Sequence, residues 1–458
     1  MRTTMRIAML SLFITLGAAL PAHAEGGSQD SGLLSLPKAR ELTLSRSATL
    51  AKAKLAVDQA GLTTQAQAYS GLPQLSASVE PSLGYGGGSG SAGGSSSGAS
   101  SSGLSYGASA KVTASQTIYD GGKNSDAVRK DELAADSAGK ALEATRLSLL
   151  GQADAAYFAV LEAEASVKAD ESDLAAAQLR QSIAQAKIDA AILSKAAYLQ
   201  TEADTASYQT TLLIAKGNLS SARAKLASLT GLPASTALEE IDFSAYDALL
   251  AKLASLDGPG LDNLASMVSA KAKASSPSLV QYALAVQEAE LSVGMARKAY
   301  QPTVSLGLSP SVAYSNPSTI DASGSVSLTA TMSLDFWTLK NGVDSARVAS
   351  ASAKTDAQQG ESDLDLQVAQ ALYAWVASAA SIVSSAKALD YAQSNYENVL
   401  EQYKLSSVTT SDLSTAEALV SADETSLIQA RYGFLSDLSA LAVLAGLEDT
   451  SLLAALVP

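Results

Sequence analysis

The chain has 458 residues, 47% hydrophobic but only 5% aromatic, with 45 acidic against 31 basic side chains and a formal net charge of −14. That acidity disfavours nucleic acid, which proteins hold through Lys and Arg on phosphates. Cysteine is absent and the one histidine is His23, so disulfides, cysteine nucleophiles and His-based catalytic or metal sites have almost no place to form.

Arg2 and Arg6 precede an uncharged apolar run, 7–20, followed by Pro21-Ala22-His23-Ala24. A basic start, a short apolar core and an A-x-A site predict a signal peptide over 1–24, cut after Ala24. The run is shorter than the ~20 residues of a spanning helix. Cleavage would remove His23 and take Arg2 and Arg6 from the 31 basic residues. No later apolar run reaches the length of a transmembrane helix.

A first repeat is predicted over 25–232. Helical spacing of Ala39, Leu42, Leu50, Leu55 and Leu62 runs through 36–69 and stops at Gly71-Leu72-Pro73. The period then changes to two. Leu75, Ala77, Val79, Leu83 and Tyr85 alternate with polar residues in a strand of about 73–85, and Leu104 to Ile118 do so in a second of about 104–119. Between them, 84–103 is nearly all Gly, Ser and Ala. This flexible loop lacks the Gly-Lys-Ser/Thr ending of a phosphate loop. After Asp120-Gly121-Gly122 a proline-free helical pattern covers about 125–190, a rod of about 100 Å at 1.5 Å per residue. A break at 190–194 precedes a second helix ended by Thr230-Gly231-Leu232-Pro233.

A linker with short helices, broken at Gly258-Pro259-Gly260, is expected over 233–276. The second repeat, 277–447, has the same grammar: a helix to Tyr300, strands of about 302–314 and 322–337, a long helix from about Val343 to Leu405, and a last one from Asp412 to Leu444. Residues 448–458 form a tail. The fold class is therefore mixed α and β, mainly α, built by internal duplication.

Each predicted strand is long enough to cross a bilayer at a tilt. One face is apolar, the other Ser, Thr and Gly with few charges, as a water-filled lumen tolerates. A soluble sheet with one face on a core has the same alternation; the polar faces favour the barrel. Four strands cannot close a barrel, and open edges are not viable in lipid. A homotrimer of about 12 strands, continued by an α-helical barrel, is the simplest closed solution. Tyr85, Tyr119, Tyr314 and Trp337 stand near strand ends, where they would either form an interfacial aromatic girdle or pack the turns.

Several segments resemble the outer-membrane efflux protein family, the TolC-like outer-membrane channels. They are Gly71-Leu72-Pro73-Gln74-Leu75-Ser76, Gln116 through Lys123, Ala222 through Gly231, and the stretch from Asn395 to Gly446 with Leu427-Ile428-Gln429-Ala430-Arg431-Tyr432. The resemblance implies a homotrimer in the outer membrane with its helices in the periplasm, docked to an adaptor protein and an inner-membrane pump. That is the exit duct of a tripartite efflux or type I secretion system. It also implies no enzyme activity and no cofactor. In the family, the turn before the last helix reads Tyr-x-x-Gly-x-Arg with two aspartates beyond. The matching positions here are Tyr403, Ser406, Val408, Asp412 and Thr415, and the first-repeat partners fall on Ala196 and Ala197. The arginine latch is therefore lost at Val408. Asp412 is left either to ring the periplasmic entrance or to cap the last helix from a Ser411-Asp412 start.

Acidic clusters at Asp170, Glu171 and Asp173, and at Glu361, Asp363 and Asp365, read as solvated helix faces rather than catalytic pairs. No catalytic, metal or cofactor site is predicted. The rival reading is a secreted coiled-coil stalk or adhesin. It leaves the strand pairs before each long helix unexplained.

Overall fold

The computed structural model describes residues 33–86, 103–315, 319–405, 407–448, 453 and 457. The predicted signal peptide with Ala24, most of the Gly/Ser loop, Ser406 and most of the tail lie outside the described residues. The first half comprises α1 (Leu36–Arg46), α2 (Ala48–Tyr69), β1 (Gln74–Gly86), β2 (Gly103–Tyr119), α3 (Lys123–Asp189) and α4 (Lys195–Thr230). A 3-10 turn (Phe243–Tyr246), α5 (Asp247–Ala254) and α6 (Gly258–Ser275) follow. Then α7 (Pro277–Lys298), β3 (Thr303–Ser315), β4 (Thr319–Thr331), α8 (Phe336–Lys404) and α9 (Thr410–Leu444) repeat the opening order.

Local chemistry explains where the observed boundaries depart from the expected ones. The helix expected over 36–69 is two helices, because Ser47 takes extended backbone and its hydroxyl accepts from Leu50 N at 3.1 Å as an N-cap. The Gly258-Pro259-Gly260 break is instead the first turn of α6, where proline needs no N–H donor and Asp257 caps Gly260 N at 2.8 Å. The last strand stops at Thr331, and α8 begins at Phe336 rather than near Val343. Asp335 sets that start by accepting from Thr338 N at 3.2 Å and Thr338 Oγ1 at 2.6 Å. In the first repeat Asp120 has the same job, accepting from Gly122 N at 2.8 Å and Asn124 N at 2.6 Å. Gly121 and Gly122 both hold φ near +70°, at 72° and 76°, which a side chain would strain.

The strands form one antiparallel sheet in the order β1-β2-β3-β4. Leu75, Val79 and Leu83 pair with Ala114, Ala110 and Tyr106. Leu306, Leu308 and Tyr314 pair with Leu328, Val326 and Ile320. Because Ala110 also pairs with Val312, these apolar positions share one face across all four strands. Val79 and Val326 are each 74% exposed, so among the described residues nothing covers that face. The β2–β3 ladder skips Pro310, which has no N–H to donate.

Two rods, α3 and α8, carry the helical part. Each is packed along its length by two shorter helices, α2 and α4 on α3, α7 and α9 on α8, with α3 also touching α7 and α9. Away from the waist the buried α3 positions are small at Ala169, Ala177 and Ala184, which lets helices approach closely, with Arg180 the large exception. At the waist the core is bulky: Trp375 stacks on Phe434 with centroids 5.8 Å apart, and Tyr246 meets the same ring edge-on. Contrary to the expectation that no later apolar run is long enough, part of α8 is apolar enough by composition and length to cross a membrane. Its Val368, Leu372, Trp375 and Ala379 are buried in this waist core.

Asp154 of α3 is 1% exposed in that core. Arg40 of α1 grips it with two bonds of 2.6 Å, and Ser439 of α9 donates to it as well. Replacing Asp154 with Ala strands these donors, and the expected cost is about 3–5 kcal/mol, read as a lower thermal unfolding midpoint. A concerted Arg40→Met/Asp154→Leu change should recover most of that loss; failure to recover it would show that packing, not charge pairing, is what the single substitution breaks.

Candidate functional site

The helical ends farthest from the sheet bring the predicted entrance residues into one region. The α3–α4 turn holds Ala191 at φ 56°, a left-handed conformation unusual without glycine. Ser194 caps α4 by accepting from Ala197 N at 3.2 Å. Ala196 is exposed and Ala197 half-buried in that first turn, and neither offers a polar side chain. The α8–α9 turn lies alongside: Lys187 of α3 donates to the Tyr403 carbonyl at 2.6 Å, and its ammonium sits 3.6 Å from the centroid of the Tyr403 ring. Burial lowers the Lys187 pKa.

Tyr403 is 1% exposed, its hydroxyl 3.4 Å from Thr410 Oγ1, so the structure places it between elements of its own chain. Val408 is half-buried and Thr415 is exposed, donating to Ser411 O at 2.8 Å. Asp412 is exposed, and α9 starts two residues before it, at Thr410. Thr409 is the N-cap, and Asp412 completes a capping box as the third helical residue. Its Oδ2 accepts from Thr409 N at 2.8 Å and Thr409 Oγ1 at 2.7 Å, and these bonds lower its pKa.

A second cluster, which no sequence motif marks, lies above this turn. Arg180 of α3 is fully buried, with its guanidinium 2.6 Å from Glu417 of α9 and 3.2 Å from Asp204 of α4. Ser414 also donates to Asp204 at 3.1 Å. Three helices thus converge on one buried cation. The signal was present in the pattern: Arg180 falls three residues after Ala177 and four before Ala184, an a/d seam position where a charge is out of place.

Burial, with Asp204 and Asp173 nearby, pushes the Glu417 pKa up to about 7 despite the Arg180 guanidinium. Tyr208 of α4 and Tyr396 of α8 also face this cluster. The two acidic clusters noted in the sequence divide. Asp170 and Asp173 are partly buried with raised pKa values, whereas Glu361 and Asp365 hold Lys273 of α6 at 2.9 and 2.8 Å. Among the described residues no group of three or more acids is arranged to hold a metal.

Glu417 binds its proton more tightly in the folded chain than at its ordinary pKa of 4.5. Its stabilising contribution is therefore complete below that value and is lost as pH rises through about 7. Amide exchange in the first turns of α9, corrected for intrinsic rate, should accelerate across this window, and Glu417→Gln should flatten the dependence. An unchanged profile in Glu417→Gln would place the titration elsewhere.

The chain matches the outer membrane efflux protein family over residues 39–232 and 268–447. No curated protein sequence matches it. Its fold is shared with CusC at TM-score 0.74 and 17% identity, over 90% of this chain and 92% of that one. VceC of Vibrio cholerae gives 0.71 and 17%, over 90% and 97%. The open-state outer membrane channel MtrE of Neisseria gonorrhoeae gives 0.68 and 19%, over 90% and 89%. Two matched repeats, one open sheet and paired helical rods agree with that assignment: the chain belongs to the outer membrane efflux protein family, channel proteins of the outer membrane whose helical part extends into the periplasm.

Proposed function

We propose that this chain is the outer-membrane exit duct of a tripartite efflux or type I secretion assembly, working as a homotrimer docked to a periplasmic adaptor and an inner-membrane pump. The observation that carries the trimer is the open sheet. Among the described residues β1 and β4 each leave one edge without a strand partner, and unpaired backbone groups in hydrocarbon cost several kcal/mol each. Three such sheets joined edge to edge make a closed barrel of about 12 strands. The uncovered apolar face then meets lipid and the Ser/Thr face lines water. Tyr119, Tyr300, Phe336 and Trp337 gather where the sheet meets the helices: Tyr119 donates to Gln301 at 3.1 Å, Tyr300 stacks on Phe336, and Trp337 is 84% exposed. That placement suits an aromatic girdle at the periplasmic interface of the membrane.

Detergent-extracted protein should give a trimer by native mass spectrometry and conduct ions in planar bilayers. A stable folded monomer would remove the shared barrel, and a water-soluble, non-conducting trimer would support the stalk reading instead.

At the other end, three copies of Asp412 would surround the entrance. The capping box occupies Oδ2 and leaves the side chain exposed, so a cap and a negative ring coexist in one residue. Asp412→Asn keeps an acceptor for Thr409 while removing the charge. It should lower cation selectivity and divalent block with little change in helix stability. Unaltered selectivity would leave Asp412 as a cap alone.

A further inference from the structure

The four strands contain three charged residues in all: Glu80 in β1, Lys111 in β2 and Asp321 in β4. The register brings them together. Glu80 pairs with Ser109, Ser109 with Ala313, and Ala313 with Asp321, so the two carboxylates end one row that crosses the whole sheet. The neighbouring row on the same face is Ser78, Lys111, Ser311 and Ser323. Lys111 is thus diagonal to Glu80, at a spacing of about 7–8 Å. All three side chains are exposed, and among the described residues none of them forms an ion pair. Everything else in these two rows is Ser or Ala.

A structural role would show as pairing, and a lipid-facing role is barred by the cost of charge in hydrocarbon. The opposite face is the apolar one, so these charges lie on the side of the sheet that faces water. We propose that Glu80, Lys111 and Asp321 form a slanting band of charge on the barrel wall that sets the ionic preference of the outer-membrane pore. The assignment rests on the trimeric duct described above. Two carboxylates against one ammonium per chain make the band net negative. It favours small cations and orients cargo that carries both signs as it passes. Because the strands tilt in a barrel, each residue type forms its own ring of three at its own depth.

The test is the reversal potential of purified trimers in a planar bilayer under a KCl gradient near 0.1 M, where the Debye length is about 10 Å. The Asp412→Asn background removes the entrance charge from the measurement. Lys111→Gln should raise the potassium-to-chloride permeability ratio, and Glu80→Gln with Asp321→Asn should lower it, each by about two- to three-fold, the effect of a potential near kT. Shifts of opposite sign cannot come from a general loss of assembly, and the charge-keeping variants Lys111→Arg and Glu80→Asp should retain the parental ratio. Near 1 M salt, with a Debye length of about 3 Å, the differences should collapse. Conducting trimers whose ratio is the same in all variants at 0.1 M would overturn the band and leave the duct standing. An absence of conductance in the unmodified protein would overturn the duct itself.

Discussion

A helix of 67 residues presents an apolar stripe about 100 Å long, and that stripe must be covered along its whole length. In this chain α3 meets the demand with α2 beside its first half, α4 beside its second, and α1, α7 and α9 on other sides. The 69-residue α8 is covered in the same way by α7 and α9, with α5 and α6 added at the waist. No single partner matches either rod, so each is served by two shorter helices that meet near its middle. That junction is the one place where a thick core can form. Trp375, Phe434, Tyr157 and the linker residues Leu250, Leu253, Leu264 and Val268 fill it.

Beyond the waist the helical layer is thin, and its seams are rich in small residues such as Ala177, Ala184, Thr201 and Ala392. A charged side chain entering such a seam has no water to solvate it and must bring partners. Asp154 draws on Arg40 and Ser439 near the waist, while Arg180 draws on Glu417 and Asp204 toward the tip. Both clusters join the first repeat to α9 of the second, so the rods are tied at two heights. The tip has a third tie of different character, the Lys187 ammonium over the Tyr403 ring. These ties lie within one chain.

The sheet obeys the opposite rule. Among the described residues no helix packs broadly against it, and its apolar face is exposed. In the barrel proposed above, its apolar and Ser/Thr faces would meet lipid and water. The change from sheet to rod occurs over a few residues. Asp120 and Asp335 start the rods of the two repeats through side-chain bonds to backbone N–H groups.

Much of this was legible in the sequence because it depends on residues close together along the chain. Period-two alternation located the strands, unbroken helical spacing located the rods, and Thr230-Gly231 with the later Asn395–Gly446 stretch showed the duplication and the family. The boundaries slipped where one side chain decides them, as Ser47 does by capping α2 and Asp335 by starting α8. The buried ionic clusters were not legible at all. Arg180 and Glu417 are far apart in sequence, and their meeting depends on how two rods are rotated about their own axes, which no local pattern records. The same holds for Tyr403: its position in a family-like turn suggested the entrance, but only the packing of α3 against that turn placed its ring under Lys187. Composition and period determined the elements and the solvent each face prefers. The tertiary structure decided which charges share a low-dielectric seam, because that depends on distances between helices rather than along them.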